Sequence, residues 1–448
     1  MTHLDNALAH YYDVLKRAMN AYQRSDEFVP SENFLPDFDL PVLDSTMEKF
    51  LQPSGIGITE LGEHGGCSLH LLNLMSNPGT RTTKTFGSMI NVARAVNHIR
   101  TTGERVFIIS PSSGNKATAL RNAVERAVSV GLVGDTELQI ATAVPEASRH
   151  KLWSSGLSDD PRLRELNPMA VLPCEVPVHV KLMIAEFMAR HTDEFHERYG
   201  IRLWHTLELR NYMVADMVRA LAEHDLMPAT GRGRLHAHAV SSALGLLGLQ
   251  FGHRELAKAG VELPALQLLL VQHLGTPDMV LGLYHDSFDM DLVPKYRRGA
   301  DGLYRQDEDP HFPAVTFDPE EHLDATFYSR TPVTSPRINK VIRENGGGGI
   351  VVSLYECLQR YNQIRDLLAT SVSLPADPRR LREWSLVMAL TGVLNGIERG
   401  VVADREILVH ASGSYGEDDY RVLSPADSVR IDGVEDFYQV VRHAAEAG

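Results

Sequence analysis

The stretch VFIISPSSGNKATAL, residues 106–120, decides the fold. Val106 to Ile109 form an apolar, β-branched run that stops at Ser-Pro. Two serines, Gly114, Asn115 and Lys116 follow, and then a helix-forming run of alanines and leucine. This reads as a strand, a tight polar turn and a helix. Such a turn lines up backbone N–H groups at a helix N-terminus, where the partial positive charge favours a small anion. A purely structural reading is equally available. Ser112 would cap the helix, and Asn115 would sit in the turn because it tolerates left-handed backbone.

Working outward, the same alternation repeats. TFGSMINVARAVNHIRTTG reads as a helix closed by Gly103, and ERVFIIS as a buried strand. ATALRNAVERAVSVG is a helix closed by Gly131, and ELQIATAV another strand. Strands alternating with helices imply βαβ units and parallel sheet. VPVHVKLMIAEFMARHTDEFHERYG is expected to give a further strand and helix, and LELRNYMVADMVRALAEHD a helix. RLHAHAVSSALGLLGLQFGHRELAKAG gives strand, turn and helix, and ALQLLLVQ a strand. Residues 285–335 are polar and Pro-rich and read as a surface excursion. REILVHASGSYG is a strand running into a Gly/Ser turn. Residues 1–24 pattern as a helix through Leu8, Tyr11, Tyr12, Leu15 and Met19.

Bulk properties narrow the function classes. The 448 residues suggest roughly two to three domains. Hydrophobic content of 43% and charged content of 23% are those of a soluble globular protein. With 44 Lys and Arg against 58 acids, the net charge of −14 argues against a nucleic-acid or membrane-surface binder. The three cysteines, Cys67, Cys174 and Cys357, build neither a disulfide framework nor a CxxC metal motif. They fit reduced thiols, and the N-terminus lacks an apolar signal core, so a cytoplasmic location is expected.

The anion of the 112–115 turn is not a nucleotide by any familiar loop. A Walker A sequence needs G-x-x-x-x-G-K-[ST], yet Asn115 separates Gly114 from Lys116 and Ala follows the lysine. The G-x-G-x-x-G dinucleotide fingerprint is absent from this turn as well; the lone G-x-G at Gly231 and Gly233 precedes a strand instead of following one. A carboxylate remains. Upstream, SNPGTRTTKTFGSMINVARA (76–95) places Lys84 after Asn-Pro and a Thr-rich turn, at a helix start.

At these residues the chain resembles the fold-type II pyridoxal-phosphate enzymes: cysteine synthase, threonine synthase and the tryptophan synthase β-subunit. In that family an NP-T-G-S-F-K segment supplies the Schiff-base lysine, and an S-S-G-N turn holds the substrate carboxylate. Lys84 and Ser112-Ser113-Gly114-Asn115 match those motifs. Segments beginning at Gly55, His238, Gly346 and Val393 resemble further family segments in the same order, so the likeness covers roughly residues 50–420.

The resemblance implies an α/β fold with two doubly wound three-layer domains, the cofactor site at their interface, and an N-terminal helical extension. Its domains would be the extension and linker (1–45), a larger cofactor-phosphate domain (46–69 plus 201–448), and a smaller mobile domain (70–200) carrying Lys84. It implies pyridoxal 5'-phosphate, with Lys84 as catalytic base and cofactor ligand. Asn115 would contact the cofactor's 3-oxygen, while Ser112, Ser113, Gly114 and Lys116 would face the substrate carboxylate. The phosphate turn would be Ser241, Ser242, Ala243, Leu244 and Gly245, with Ala243 and Leu244 where glycines are common. The four glycines 346–349 compete for that role but precede a strand-like IVVSL. Ser412 would partner the pyridine nitrogen, with Ser414 as the near alternative.

The reaction implied is α-proton abstraction from an amino acid, then β- or γ-elimination or replacement with a small nucleophile. The alternatives are a deaminase or an isomerase/racemase on the same scaffold, or a non-catalytic subunit that keeps only the scaffold. A homodimer is expected, without nucleic acid or membrane. A metal site is not expected. His236 and His238 share one strand face and Asp286, Asp289 and Asp291 cluster, but no fixed ligand spacing supports either group.

Overall fold

The structure is a computed structural model that describes residues 2–23, 34–174, 176–206, 209–227, 233–324, 330–403 and 406–448, with backbone only at 209–211. The chain divides into two compact units. One comprises Met1–Leu4, Gly55–Ser76 and Asp216–Asp419; the other comprises Asp5–Ser54, Asn77–Ala215 and Tyr420–Gly448. Both are α/β, as the alternation predicts.

The 77–215 unit is built on a five-stranded parallel sheet. Its order is Val429–Arg430, Met169–Leu172, Leu138–Pro145, Arg105–Pro111, Ile201–His205. Val106 to Ile109 are all buried, as a parallel strand covered on both faces requires. Phe107 and Ile109 join a core with Ile184 and Phe187 of the helix Val178–Tyr199 and with Phe437 of the helix Val434–Ala447. Burying each such side chain contributes roughly 1.5–3 kcal/mol. The helices Lys84–Thr102 and Asn115–Ser129 pack on each other and on the central strands. Gly103, at φ 74°, closes the first of them in the left-handed conformation that glycine adopts without strain.

The 216–419 unit carries a seven-stranded mixed sheet. Its order is Thr2–Leu4, Ile56–His64, Cys67–Asn73, Glu406–Ala411, Leu235–Ala239, Gln267–His273, Gly347–Val352. The first three strands pair antiparallel and the remaining pairs are parallel. The helix Ser385–Glu398, buried along most of its length, covers one face with Cys357, Tyr361 and Ile364 of the helix Leu354–Leu368. Val351 turns to the opposite face, with Val280 and Leu281 of the helix Asp278–His285. No helix among the described residues is long and apolar enough to cross a membrane.

Three expectations are corrected. VPVHV is not a strand: the helix Val178–Tyr199 absorbs it, and the strand of that region is Met169–Leu172. Val180, Met183, Ile184, Phe187 and Phe195 are buried at helical spacing, and this longer period overrides the short alternation. The unit boundaries also fall elsewhere than the expected 45/46, 69/70 and 200/201 cuts. Residues 5–54 join the Lys84 unit, because Arg126 donates to the carbonyls of Lys49 and Phe50 and Leu8 N–H donates to Ser54 Oγ. Residues 420–448 return to the same unit. Val429–Arg430 pairs with Ala170–Val171, and Gln139 donates to the Ala444 carbonyl at 2.9 Å. Thirdly, the single N-terminal helix is a short strand (Thr2–Leu4) and two helices, Ala7–His10 and Tyr12–Gln23. Among the described residues, the 285–335 excursion carries a short 3-10 helix (Met290–Leu292) and a meander of two-residue strands; residues 325–329 lie outside the described set.

Candidate functional site

In the 77–215 unit, the turn after Pro111 closes on itself through Ser112. Its N–H donates to the Ala143 carbonyl at 2.9 Å. Its hydroxyl oxygen accepts from Gly114 N–H at 3.0 Å and from Ala117 N–H at 2.8 Å. The buried Ser112 oxygen thus satisfies the first turn of this helix, whose N-cap is Gly114. Gly114 adopts φ 127°, ψ −79°, which a side chain would strain. Ser113 and Asn115 keep partial exposure at the helix start.

Lys84 opens the neighbouring helix, preceded by buried Thr82 and Thr83 and followed by buried Thr85 and Phe86. Asn77 organises the segment before it. Asn77 donates to Thr85 Oγ1 (3.3 Å) and to Asn122 Oδ1 (3.1 Å), and its own carbonyl oxygen Oδ1 accepts from Gly79 N–H (2.9 Å). Thr85 sits in the Lys84 helix and Asn122 in the Asn115 helix, so one amide ties both helices together. Arg81 takes φ 44°, an uncommon left-handed conformation for a side-chain-bearing residue.

Lys116 retains some surface, yet its ammonium sits deep in the protein mass. Burial, then the positive charges of Lys181 and Lys84, push its pKa down to about 7. Its ammonium donates to the Thr206 carbonyl at 3.4 Å and lies 5.9 Å from the centre of the Tyr212 ring. His205, next to Thr206, is pushed down to about 4 by burial and by Lys116. Tyr212 also packs on the first turn of the Lys84 helix: a methyl group at Gly87 would come within 2.7 Å of its ring. Nothing local in the sequence marks Tyr212; only the return of the chain after the Ile201–His205 strand brings it here.

In the 216–419 unit, the strand Leu235–Ala239 leads through Ser241 and Ser242 into the helix Leu244–Lys258. Ala243 is the N-cap, at φ 50°, ψ 23°. It holds the left-handed conformation that a glycine would take there, at a cost of roughly 1–2 kcal/mol. The turn geometry thus survives the loss of glycine, held by Thr334 Oγ1 donating to the Ser242 carbonyl at 2.5 Å. Gly245 has no room for a side chain, because a methyl group would overlap the Arg219 guanidinium. Arg219 is buried. It pairs with Asp216 through Nε (2.8 Å) and Nη2 (2.6 Å), and donates to His410 Nδ1 at 3.2 Å. The buried guanidinium beside the start of this helix is thus matched by the Asp216 carboxylate. Sequence reasoning missed Arg219, whose Gly245 contact links two separate helices.

The rival glycines serve pairing. Gly347, Gly348 and Gly349 lie in register with Leu268, Leu269 and Leu270, and a methyl group at 347 would overlap the Leu268 backbone. They precede no helix N-terminus. After the strand Glu406–Ala411, Ser412 and Ser414 are both buried, and Ser414 Oγ has no hydrogen-bond partner among the described residues. Buried Glu383 lies alongside, 3.0 Å from where a methyl group at Gly413 would sit. The acids Asp286, Asp289 and Asp291 do not converge: Asp286 pairs with Arg343 (2.6 Å) and Asp289 accepts from Asp291 N–H.

The fold is similar to that of PLP-bound threonine synthase from Brucella melitensis, with a TM-score of 0.54 and 12% identity, covering 87% of this chain and 80% of that one. It is similar also to threonine synthase from yeast, with a TM-score of 0.53 and 13% identity, covering 99% of this chain and 92% of that one. At these identities the likeness is one of fold. No curated protein matches the chain by sequence. Residues 3–445 match the model of DUF6002, a family of unknown function, and the chain belongs to that family.

Proposed function

We propose that this protein is a pyridoxal 5'-phosphate-dependent enzyme that removes the α-proton of an amino acid and then eliminates or replaces a β- or γ-substituent. The observation that carries this reading is the Asn77 bridge, which ties the first turn of the Lys84 helix to Asn122, two turns into the helix that follows Ser113 and Gly114. The fold likeness to two threonine synthases supports it.

The residues present fit the cofactor. The left-handed Ala243 turn, with Ser241, Ser242, Leu244 and Gly245, would serve as the phosphate cup at the N-terminus of its helix. The unpartnered Ser414 Oγ, with Ser412 as the alternative, suits the ring nitrogen, and Asn115 the 3-oxygen. Bound, the cofactor supplies an electron sink for the charge left by loss of the α-proton. Lys84 Nζ would carry that proton as general base. The backbone N–H groups after Ser113 would orient the substrate carboxylate. Lys116 would engage a second negative group on the substrate, a phosphate or a second carboxylate.

The test is the near-ultraviolet and visible absorbance of the purified protein incubated with pyridoxal 5'-phosphate, followed by borohydride reduction and peptide mapping. A visible band, with the cofactor fixed on the peptide carrying Lys84 and lost in Lys84→Ala, is expected. Product analysis then separates elimination or replacement from deamination (ammonia and a keto acid) and from racemisation. No band would overturn the reading in favour of a non-catalytic subunit.

A further inference from the structure

A second cluster, independent of the cofactor reading, lies in the 216–419 unit. Glu223, on the helix Val218–Leu226, meets His236 of the strand Leu235–Ala239 and His253 of the helix Leu244–Lys258. Their ligand atoms all lie within 4.8 Å of one another. Glu223 Oε2 is 3.5 Å from His236 Nε2 and 3.9 Å from His253 Nε2. That oxygen is buried and makes no hydrogen bond. Two ligands on one tetrahedral zinc-type ion stand about 3.4 Å apart, given metal–ligand bonds near 2.0–2.1 Å. The two Glu223–His separations are thus close to what one ion would impose, and the two imidazole nitrogens lie within 4.8 Å of each other.

The surroundings favour a cation. Glu223 Oε1 is held by the Arg234 guanidinium, which also donates to Glu406 Oε1 at 3.1 Å. Two carboxylates, buried Glu223 and partly buried Glu406, face one guanidinium, leaving one negative charge in excess. The orientation of His236 is set from behind, as metal-binding imidazoles require. His236 Nδ1 is 3.1 Å from His410 Nε2, and Arg219 donates to His410 Nδ1. Arginine only donates, so the His410 proton lies on Nε2 and points at His236 Nδ1. His236 then carries its own proton on Nε2, toward Glu223; a metal ion there would release that proton to solvent and be bound by His236 as an imidazolate, with Arg219 behind His410 offsetting the negative charge. The cluster opens onto a small cavity walled by Ala220, His224, Leu263 and Pro264.

We propose that Glu223, His236 and His253 hold a divalent transition-metal ion of the zinc type, with a fourth position facing this cavity. A His2Glu ligand set with one open position is a known zinc arrangement.

The test uses full-length protein stripped with chelator and titrated with Co2+, read by its visible d–d absorption, and with Zn2+, read by competition. One equivalent is expected, with a tetrahedral Co2+ spectrum that Zn2+ abolishes. His253→Ala, at a half-buried helix position, and Glu223→Gln should each weaken binding more than about tenfold. Far-UV circular dichroism checks that each variant is folded, and His253→Ala serves if Glu223→Gln does not fold. The inference is overturned if the folded wild type gives no Co2+ spectrum, or if folded His253→Ala binds as tightly as wild type. Cofactor binding enters none of these readings, so this result and that of the cofactor test stand apart.

Discussion

The Lys116 ammonium lies 5.9 Å from the centre of the Tyr212 ring, and the same ring fills the space left by the missing side chain of Gly87 in the Lys84 helix. One aromatic side chain thus holds both the first turn of the proposed catalytic helix and the cation beside the carboxylate turn. Lys116 contacts a carbonyl and a π-face, and no carboxylate pairs with it among the described residues. A buried amine in this setting gains most from an anion brought by the substrate. Lys116→Ala is expected to lower kcat/KM about tenfold to a hundredfold for an amino acid with a second anionic group, the scale of a charged hydrogen bond. Amino acids without that group should be little affected. Equal losses for both classes would show that Lys116 acts on the turn and not on the substrate.

Lys116 also sets a pH dependence of stability. Its pKa is near 7 in the folded chain and near the ordinary 10.5 when unfolded. Between these values the unfolded state holds the extra proton, so this group's contribution to stability rises with pH. Below pH 7 the folded protein bears the full cost of a charged buried amine. Lys116→Met, which removes the charge and keeps the stem, should be more stable than wild type at and below pH 7. The margin should shrink as pH rises toward 10. Denaturant midpoints of both proteins across that range check this; a margin that is flat or grows with pH would contradict it.

The cup at 241–245 offers a test by sign. Ala243 holds left-handed backbone, so Ala243→Gly should raise stability by up to about 1 kcal/mol, the strain relieved less the entropy glycine gains when unfolded. In a helix interior the same change is destabilising. Gly245→Ala pushes into the Arg219 guanidinium, which Asp216 holds in place. It should cost about 1–3 kcal/mol, the range of overpacking. It should also weaken pyridoxal phosphate binding, measured by equilibrium dialysis. Thermal and denaturant midpoints of the two variants moving in the same direction would refute this account of the turn.

The local elements were legible in the sequence because their signals are local. The apolar run at 106–109, the positive-φ glycines at 103 and 114, and the helical spacing after Lys84 each act within a few residues. They placed Lys84 and Asn115 at helix starts, and they pointed to a strand after the glycines 346–349, three of which the strand Gly347–Val352 takes in. The failures came where two periods competed, as in VPVHV, or where a segment's partner lies far along the chain, as for residues 420–448. Tertiary structure alone decided the chemistry of several side chains. Ser112 turned inward because Gly114 and Ala117 amides needed an acceptor. Arg219 reached Gly245, and Glu223 met His236 and His253, because helices and strands distant in sequence pack side by side. Lys116 lost its ordinary pKa because Lys84 and Lys181 converge on it in a buried place. Backbone periodicity is written residue by residue; charge, burial and ligand geometry depend on which distant segments become neighbours.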